Sequence, residues 1–210
     1  MEGGGFIRHR RASVRLVRLA VAGALSLAAG KAGTTTYGAD ELRTGWHPDE
    51  PSLTQSLVTG LAFGQQWSAA VTGQVYAQPL VSNGVLFVAT EDNFRYGLDP
   101  DTGAARWTRQ VVPPWNASDI GCTDLAPHVG ITGTPVIDDA AGTAWFVSKT
   151  YASGTSGAAA LFMHAVDITT GSERTGFPVR IQGNAQNQAA ISFDPFRQHQ
   201  RPGLRQHWRR

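Results

Sequence analysis

The chain has 210 residues, 41% of them hydrophobic, which is enough for a packed core and unlike a disordered polypeptide. Its 24 glycines, 16% charged residues and lack of long charged helical stretches favour short strands joined by tight turns over a helical bundle. An isoelectric point near 9.0 invites a nucleic-acid partner, yet 11 of the 18 basic residues lie in 1–31 and 197–210, and the stretch 32–196 carries a net charge of −8, which argues against a phosphate-binding groove.

Taken in chain order, residues 6–18 are rich in arginine and lead into an apolar run from Leu19 to Gly30, followed by small residues around Ala32. That order is expected of a helical signal peptide over residues 1–32. The run is about 12 residues against the roughly 20 a bilayer-spanning helix needs, so no stable membrane anchor is expected. Secretion, or release to a periplasm, by the general secretory route follows; Arg10-Arg11 leaves a twin-arginine route open. A lipoprotein scaffold for outer-membrane assembly would need a cysteine just after the signal, and none stands there. Residues 33–60, with Pro48 and Pro51 and no sustained period, are expected to form an extended lead-in.

From residue 61 the pattern changes. Gln78-Pro79-Leu80-Val81-Ser82 and Val85 to Thr90 flank Asn83-Gly84, the pair that best fits a two-residue hairpin because both central positions need positive φ. Tyr96-Gly97-Leu98 then runs into Asp99-Pro100-Asp101-Thr102-Gly103. There the carboxylate of Asp99 can accept from following amides, and Gly103 can take the left-handed position. A last strand is expected from Ala104 or Ala105 through Trp107. A second copy opens at Thr134-Pro135-Val136-Ile137-Asp138. It continues through Trp145-Phe146-Val147 and Ala165-Val166, and turns at Asp167-Ile168-Thr169-Thr170-Gly171. Four strands per copy, proline-led, apolar, into the aspartate and out of the glycine, make one antiparallel propeller blade. The expected organisation is a lead-in followed by 61–193, with blades at about 61–112 and 129–183 and a basic tail over 194–210.

The run Gly97-Leu98-Asp99-Pro100-Asp101-Thr102-Gly103-Ala104-Ala105-Arg106-Trp107 resembles the pyrroloquinoline-quinone-like (PQQ-like) propeller repeat, Ala-x-Asp-x-x-Thr-Gly-x-x-x-Trp, at every position but the first. The second copy keeps Ala165, Asp167, Thr170 and Gly171 but has Thr175 in place of the tryptophan. The opening Gly130-Ile131-Thr132-Gly133-Thr134-Pro135 is similar to that of secreted members. The resemblance implies an all-β fold, a partial propeller of two four-stranded blades plus the start of a third at Gln200-Arg201-Pro202-Gly203-Leu204. It also implies that Trp107 docks between neighbouring blades. Because a closed ring takes about four to eight blades, a truncated or frame-shifted product or a gene fragment is expected.

No catalytic or metal-binding residue is assigned. Asp99, Asp101 and Asp167 are accounted for by turns, Glu91-Asp92-Asn93 reads as a solvated loop ahead of the alternative of an oxygen-ligand cluster for a cation such as calcium, and Ser153 to Gly157 reads as a flexible insertion rather than a nucleophile elbow. His128 and His164 lack metal-ligand spacing. Cys122, the single cysteine, excludes an intrachain disulfide and leaves two roles open, a small buried residue or a pairing partner for another chain. The expected function is an exported, non-catalytic propeller module that binds a protein or carbohydrate through blade loops, with no cofactor. The alternative is a fragment of a dehydrogenase using PQQ and calcium. The loop Val112 to His128, with Pro113, Pro114, Trp115, Asp119 and Asp124, is the favoured contact surface, and open blade edges predict self-association. A nucleic-acid role for the Arg- and Trp-bearing tail conflicts with the acidic domain.

Overall fold

The computed structural model describes residues 16–22, 33–48, 50, 53–60, 63–121 and 123–206, so most of the expected signal peptide, Cys122 and the last four residues of the tail lie outside it. In chain order the elements are β1 (Leu16–Ala22), a short helix α1 (Gln55–Thr59), β2 (Gln65–Thr72), β3 (Leu80–Ser82), β4 (Val85–Ala89), β5 (Phe94–Leu98), β6 (Ala105–Gln110), β7 (Trp115–Asn116), β8 (His128–Val129), β9 (Val136–Asp138), β10 (Thr143–Tyr151), β11 (Ala159–Asp167), β12 (Val179–Arg180), β13 (Asn184–Ala185) and β14 (Gln188–Ser192).

Two four-stranded antiparallel sheets dominate, β3-β4-β5-β6 and β9-β10-β11-β12, and none of the sheets described closes into a barrel. These are two propeller blades stacked face to face. The first hairpin turns at Asn83 and Gly84, whose φ values of 49° and 70° are both in the left-handed region. β4 is buried at all five positions because it lies in the middle of its sheet with a layer on each side. Val85, Phe87 and Ala89 face the second blade, whereas Leu86 and Val88 face the layer made by β2. The core between the blades gathers Leu80, Phe87 and Trp107 from the first with Ile137, Phe146 and Val166 from the second. Phe87 sits 5.9 Å from the Trp107 ring and 6.0 Å from that of Phe146.

Several sequence expectations need correction. Where it is described, the expected helical signal is extended: Leu16–Ala22 pairs antiparallel with β2, from Leu16 opposite Thr72 to Ala22 opposite Gln65. The physical reason is a vacant edge, since β2 has no other strand partner among the described residues and an unpaired ladder of amides and carbonyls favours extended pairing. The lead-in is not uniformly extended, because Thr54 caps α1 by accepting from the Leu57 amide. Gln200 to Leu204, expected to start a third blade, is less regular than that. It forms no strand and lies against the second blade, with the Leu204 amide donating to Thr134 O at 2.9 Å.

The inner edges of both blades are covered by the chain itself. The amide of Val81 in β3 donates to Thr34 O and that of Ile137 in β9 to Thr35 O, so two adjacent lead-in residues clip the blades together. Among the described residues no helix is long and apolar enough to cross a membrane.

Candidate functional site

Two regions gather the chemistry, the seam between the blades and the loops at the ends of β4 and β10. In the first blade, Asp99 Oδ1 accepts from the Asp101 and Thr102 amides, both at 3.0 Å, and from Thr102 Oγ1. Arg106 reaches its other oxygen at 2.7 Å, and this contact foremost holds the carboxyl down to about 2. Gly103 closes the turn with φ 73°. In the second blade the Thr169 and Thr170 amides and hydroxyls converge on Asp167 Oδ1, holding its carboxyl below the usual range, and Gly171 has φ 70°.

Each turn receives an indole. Trp107 Nε1 donates to Ile168 O at 3.0 Å, and its ring lies so close to Gly171 that a Cβ there would come within 2.5 Å of it. Trp67 of β2 does the same one blade earlier, donating to Pro100 O at 3.1 Å and lying against Gly103. Sequence reasoning passed over Trp67. Its signal was positional: an indole at the third residue of a strand that precedes a proline-led opening, as Trp107 is the third residue of β6 ahead of the second blade. β2 thus occupies the place of an outer blade strand. Gly97, the residue that departs from the repeat, lies directly opposite Trp107, where any Cβ would collide with the indole. Thr175 is exposed and docks on nothing described.

A buried polar chain also crosses the seam and was not foreseen. Arg95, 5% exposed, donates to Gly171 O at 3.1 Å and stands 3.5 Å from Glu173. Glu173 Oε1 is 3.1 Å from His164 Nδ1, and His164 Nε2 is 2.8 Å from Ser148 Oγ. Serine, histidine and carboxylate in that order match a hydrolytic triad. However, Ser148 is 0% and His164 1% exposed, and Phe146 stacks on the imidazole at 4.8 Å, so no carbonyl substrate can reach the hydroxyl. The chain is a structural network joining the blades.

At the loop end, Glu91 Oε2 accepts from the Gly130 amide at 2.6 Å, and burial raises its carboxyl above the usual value. Asp92 lies 2.7 Å from His128 Nδ1, and Asn93 donates to Lys149 O at 2.9 Å. The three side chains diverge to separate partners and do not form a calcium cage. Among the described residues no group of three or more His, Cys, Asp or Glu could hold a metal.

The loop after β6 is more ordered than a bare connection. Trp115, 1% exposed, packs with Ala117, Leu125, Val129 and Tyr151 as a small core of its own. The Tyr151 hydroxyl donates to Asp119 at 3.0 Å, and Thr150 donates to Pro113 O at 2.6 Å, so β10 fixes the loop. Of the residues proposed for a contact surface, Trp115 is therefore interior, whereas Pro113, Asp119 and Asp124 are exposed.

A family model described as outer membrane protein assembly factor BamB matches residues 64–174, just over half of the chain. No curated protein matches it significantly. Among solved structures, BamB from Moraxella catarrhalis is 23% identical with a TM-score of 0.39, and a europium-containing methanol dehydrogenase is 20% identical with a TM-score of 0.42. The matches cover 59% and 60% of this chain but only 30% and 21% of those chains. With paired blades, Asp-x-x-Thr-Gly turns and the family match together, the chain belongs to the PQQ-like β-propeller repeat family.

Proposed function

We propose that the chain is an exported, non-catalytic propeller module that binds another protein or a carbohydrate through the loop after its first blade. The observation that carries this reading is the construction of residues 111–130. A rigid apolar base around Trp115 is pinned to β10, and above it Asn116, Ser118, Asp119, Thr123 and Asp124 are exposed. A polar rim held by a packed core loses little conformational entropy on binding, which is the arrangement a recognition loop requires.

The test is a glycan panel and a cross-linking screen with the full chain, repeated with Asp119→Asn/Asp124→Asn. A ligand whose affinity falls about ten-fold in the double variant, with circular dichroism unchanged, supports the reading. Dye-linked alcohol oxidation on adding the quinone and calcium would overturn it, as would binding indifferent to the loop.

A further inference from the structure

The segment Asp194–Gln206 is too well anchored to be a loose tail. It begins with a compact turn, in which the Gln198 amide donates to Asp194 O at 2.9 Å and the Phe196 amide to Asp194 Oδ1 at 3.0 Å. Lys149 of β10 then caps its carbonyls, donating to Phe196 O at 3.1 Å and Gln198 O at 3.4 Å, while the Phe196 ring meets Trp115 edge-on at 6.0 Å. The Gln200 side chain covers Gly133, where a Cβ would collide with it. Further on, Leu204 bonds Thr134, Gln206 donates to Asp138 at 3.2 Å and Arg43 donates to Gly203 O at 2.8 Å. The segment is a strap laid across the inner edge of the second blade.

At its centre sits His199. Neither ring nitrogen has a hydrogen-bond partner, and both are shielded from solvent. Lys149 of β10, whose ammonium bonds the Gln198 carbonyl beside it, and Arg201, two positions along the strap, both repel a proton on His199, while Arg201 also attracts the Glu91 carboxylate. A neutral imidazole there already carries the cost of an unpaired donor and an unpaired acceptor. A proton on it would add a buried charge that has no acceptor and is repelled by two cations.

We propose that Asp194–Gln206 is an acid-released strap and that His199 is its latch: protonation expels the segment and uncovers the inner edge of the second blade at Gly133, Thr134 and Asp138. Burial, followed by repulsion from Lys149 and Arg201, holds the His199 imidazole down to about 4 against an ordinary value of 6.5. The sign follows from linkage. The docked strap excludes the proton and the released strap binds it, so docking is at full strength above pH 6.5 and weakens as pH falls toward 4. Glu91 shifts the other way, because burial favours its neutral form; its neutralisation also removes the attraction for Arg201. The variant His199→Gln separates the two groups.

The experiment is amide hydrogen exchange on the full chain between pH 7 and 4, read by mass spectrometry as protection factors so that the intrinsic chemistry cancels. Peptides covering 194–206 are expected to lose protection by up to about ten-fold per pH unit below 6.5, while β4 and β10 keep theirs; His199→Gln is expected to flatten the strap profile. The proposal is overturned if the wild-type strap is insensitive to pH, if His199→Gln falls as steeply, or if strap and core open together. Should the variant not fold, the wild-type profiles alone decide, because a strap transition at a higher pH than any change in β4 and β10 is required.

Discussion

The two blades share a turn and differ in what lies beside it. In the first, Gly97 leaves room for the Trp107 indole and the outer strand β6 runs for six residues. In the second, Ala165 stands in the position of Gly97 and Thr175 in that of Trp107, and the outer strand shrinks to a bridge between Val166 and Glu173 and the two residues of β12. The lesson is that the Asp-x-x-Thr-Gly turn reverses the chain in either setting, whereas a long outer strand accompanies an indole with a neighbouring blade to dock on. Glycine opposite and tryptophan above work as one unit, since removing either leaves a cavity or a clash.

The largest break in that comparison comes from removing the docked ring. Trp107→Ala deletes a side chain that is 7% exposed, sits in the interblade core and bonds Ile168 O. A loss of about 3–5 kcal/mol is expected from the urea midpoint at unchanged slope. Trp67→Ala, at a half-buried ring, should cost clearly less; equal losses would mean that the two docking sites are equivalent and the interblade core adds nothing.

A smaller effect separates the turn glycines. Gly171→Ala and Gly103→Ala both force a Cβ onto a left-handed backbone, at about 1–2 kcal/mol, and both push it against an indole. Trp107 is walled in by Phe87 and Gly97 and cannot retreat, whereas Trp67 is half-buried. Thermal unfolding is therefore expected to rank Gly171→Ala as the more damaging, and the reverse order would show that the first-blade turn is the more rigid. The smallest effect sharpens the comparison from the other side. Thr175→Trp places an indole at an exposed position with no turn ahead of it, so stability should move by no more than about 0.5 kcal/mol. A gain above about 1 kcal/mol would reveal a seat for the ring on the described surface.

How far the sequence alone could be read follows from the range of the interactions. Asn83-Gly84, with φ values of 49° and 70°, and the aspartate turns at Asp99 and Asp167 close within five residues, so their chemistry was written in adjacent letters. From them came the antiparallel four-stranded sheets and the family. Trp67 escaped notice because its acceptor, Pro100 O, is 33 positions away. Arg95 and Glu173 are 78 positions apart, so nothing local in the sequence signals their pairing. The loop around Trp115 was singled out for its length, but only the packing of Tyr151 and Ala159 beneath it showed which of its residues face inward.

By itself, then, the order of amino acids settled local conformation: where strands run, where they reverse, and that two such units follow one another. Short hydrogen-bonded rings and the two-residue period of a strand need no distant partner. The tertiary structure decided which surfaces meet. It set Leu16–Ala22 beside β2, stretched Thr34 and Thr35 across two inner edges, and folded Asp194–Gln206 back over the second blade. Those choices depend on which apolar faces and unpaired backbone groups remain vacant once the blades have formed, and that competition is visible only in three dimensions.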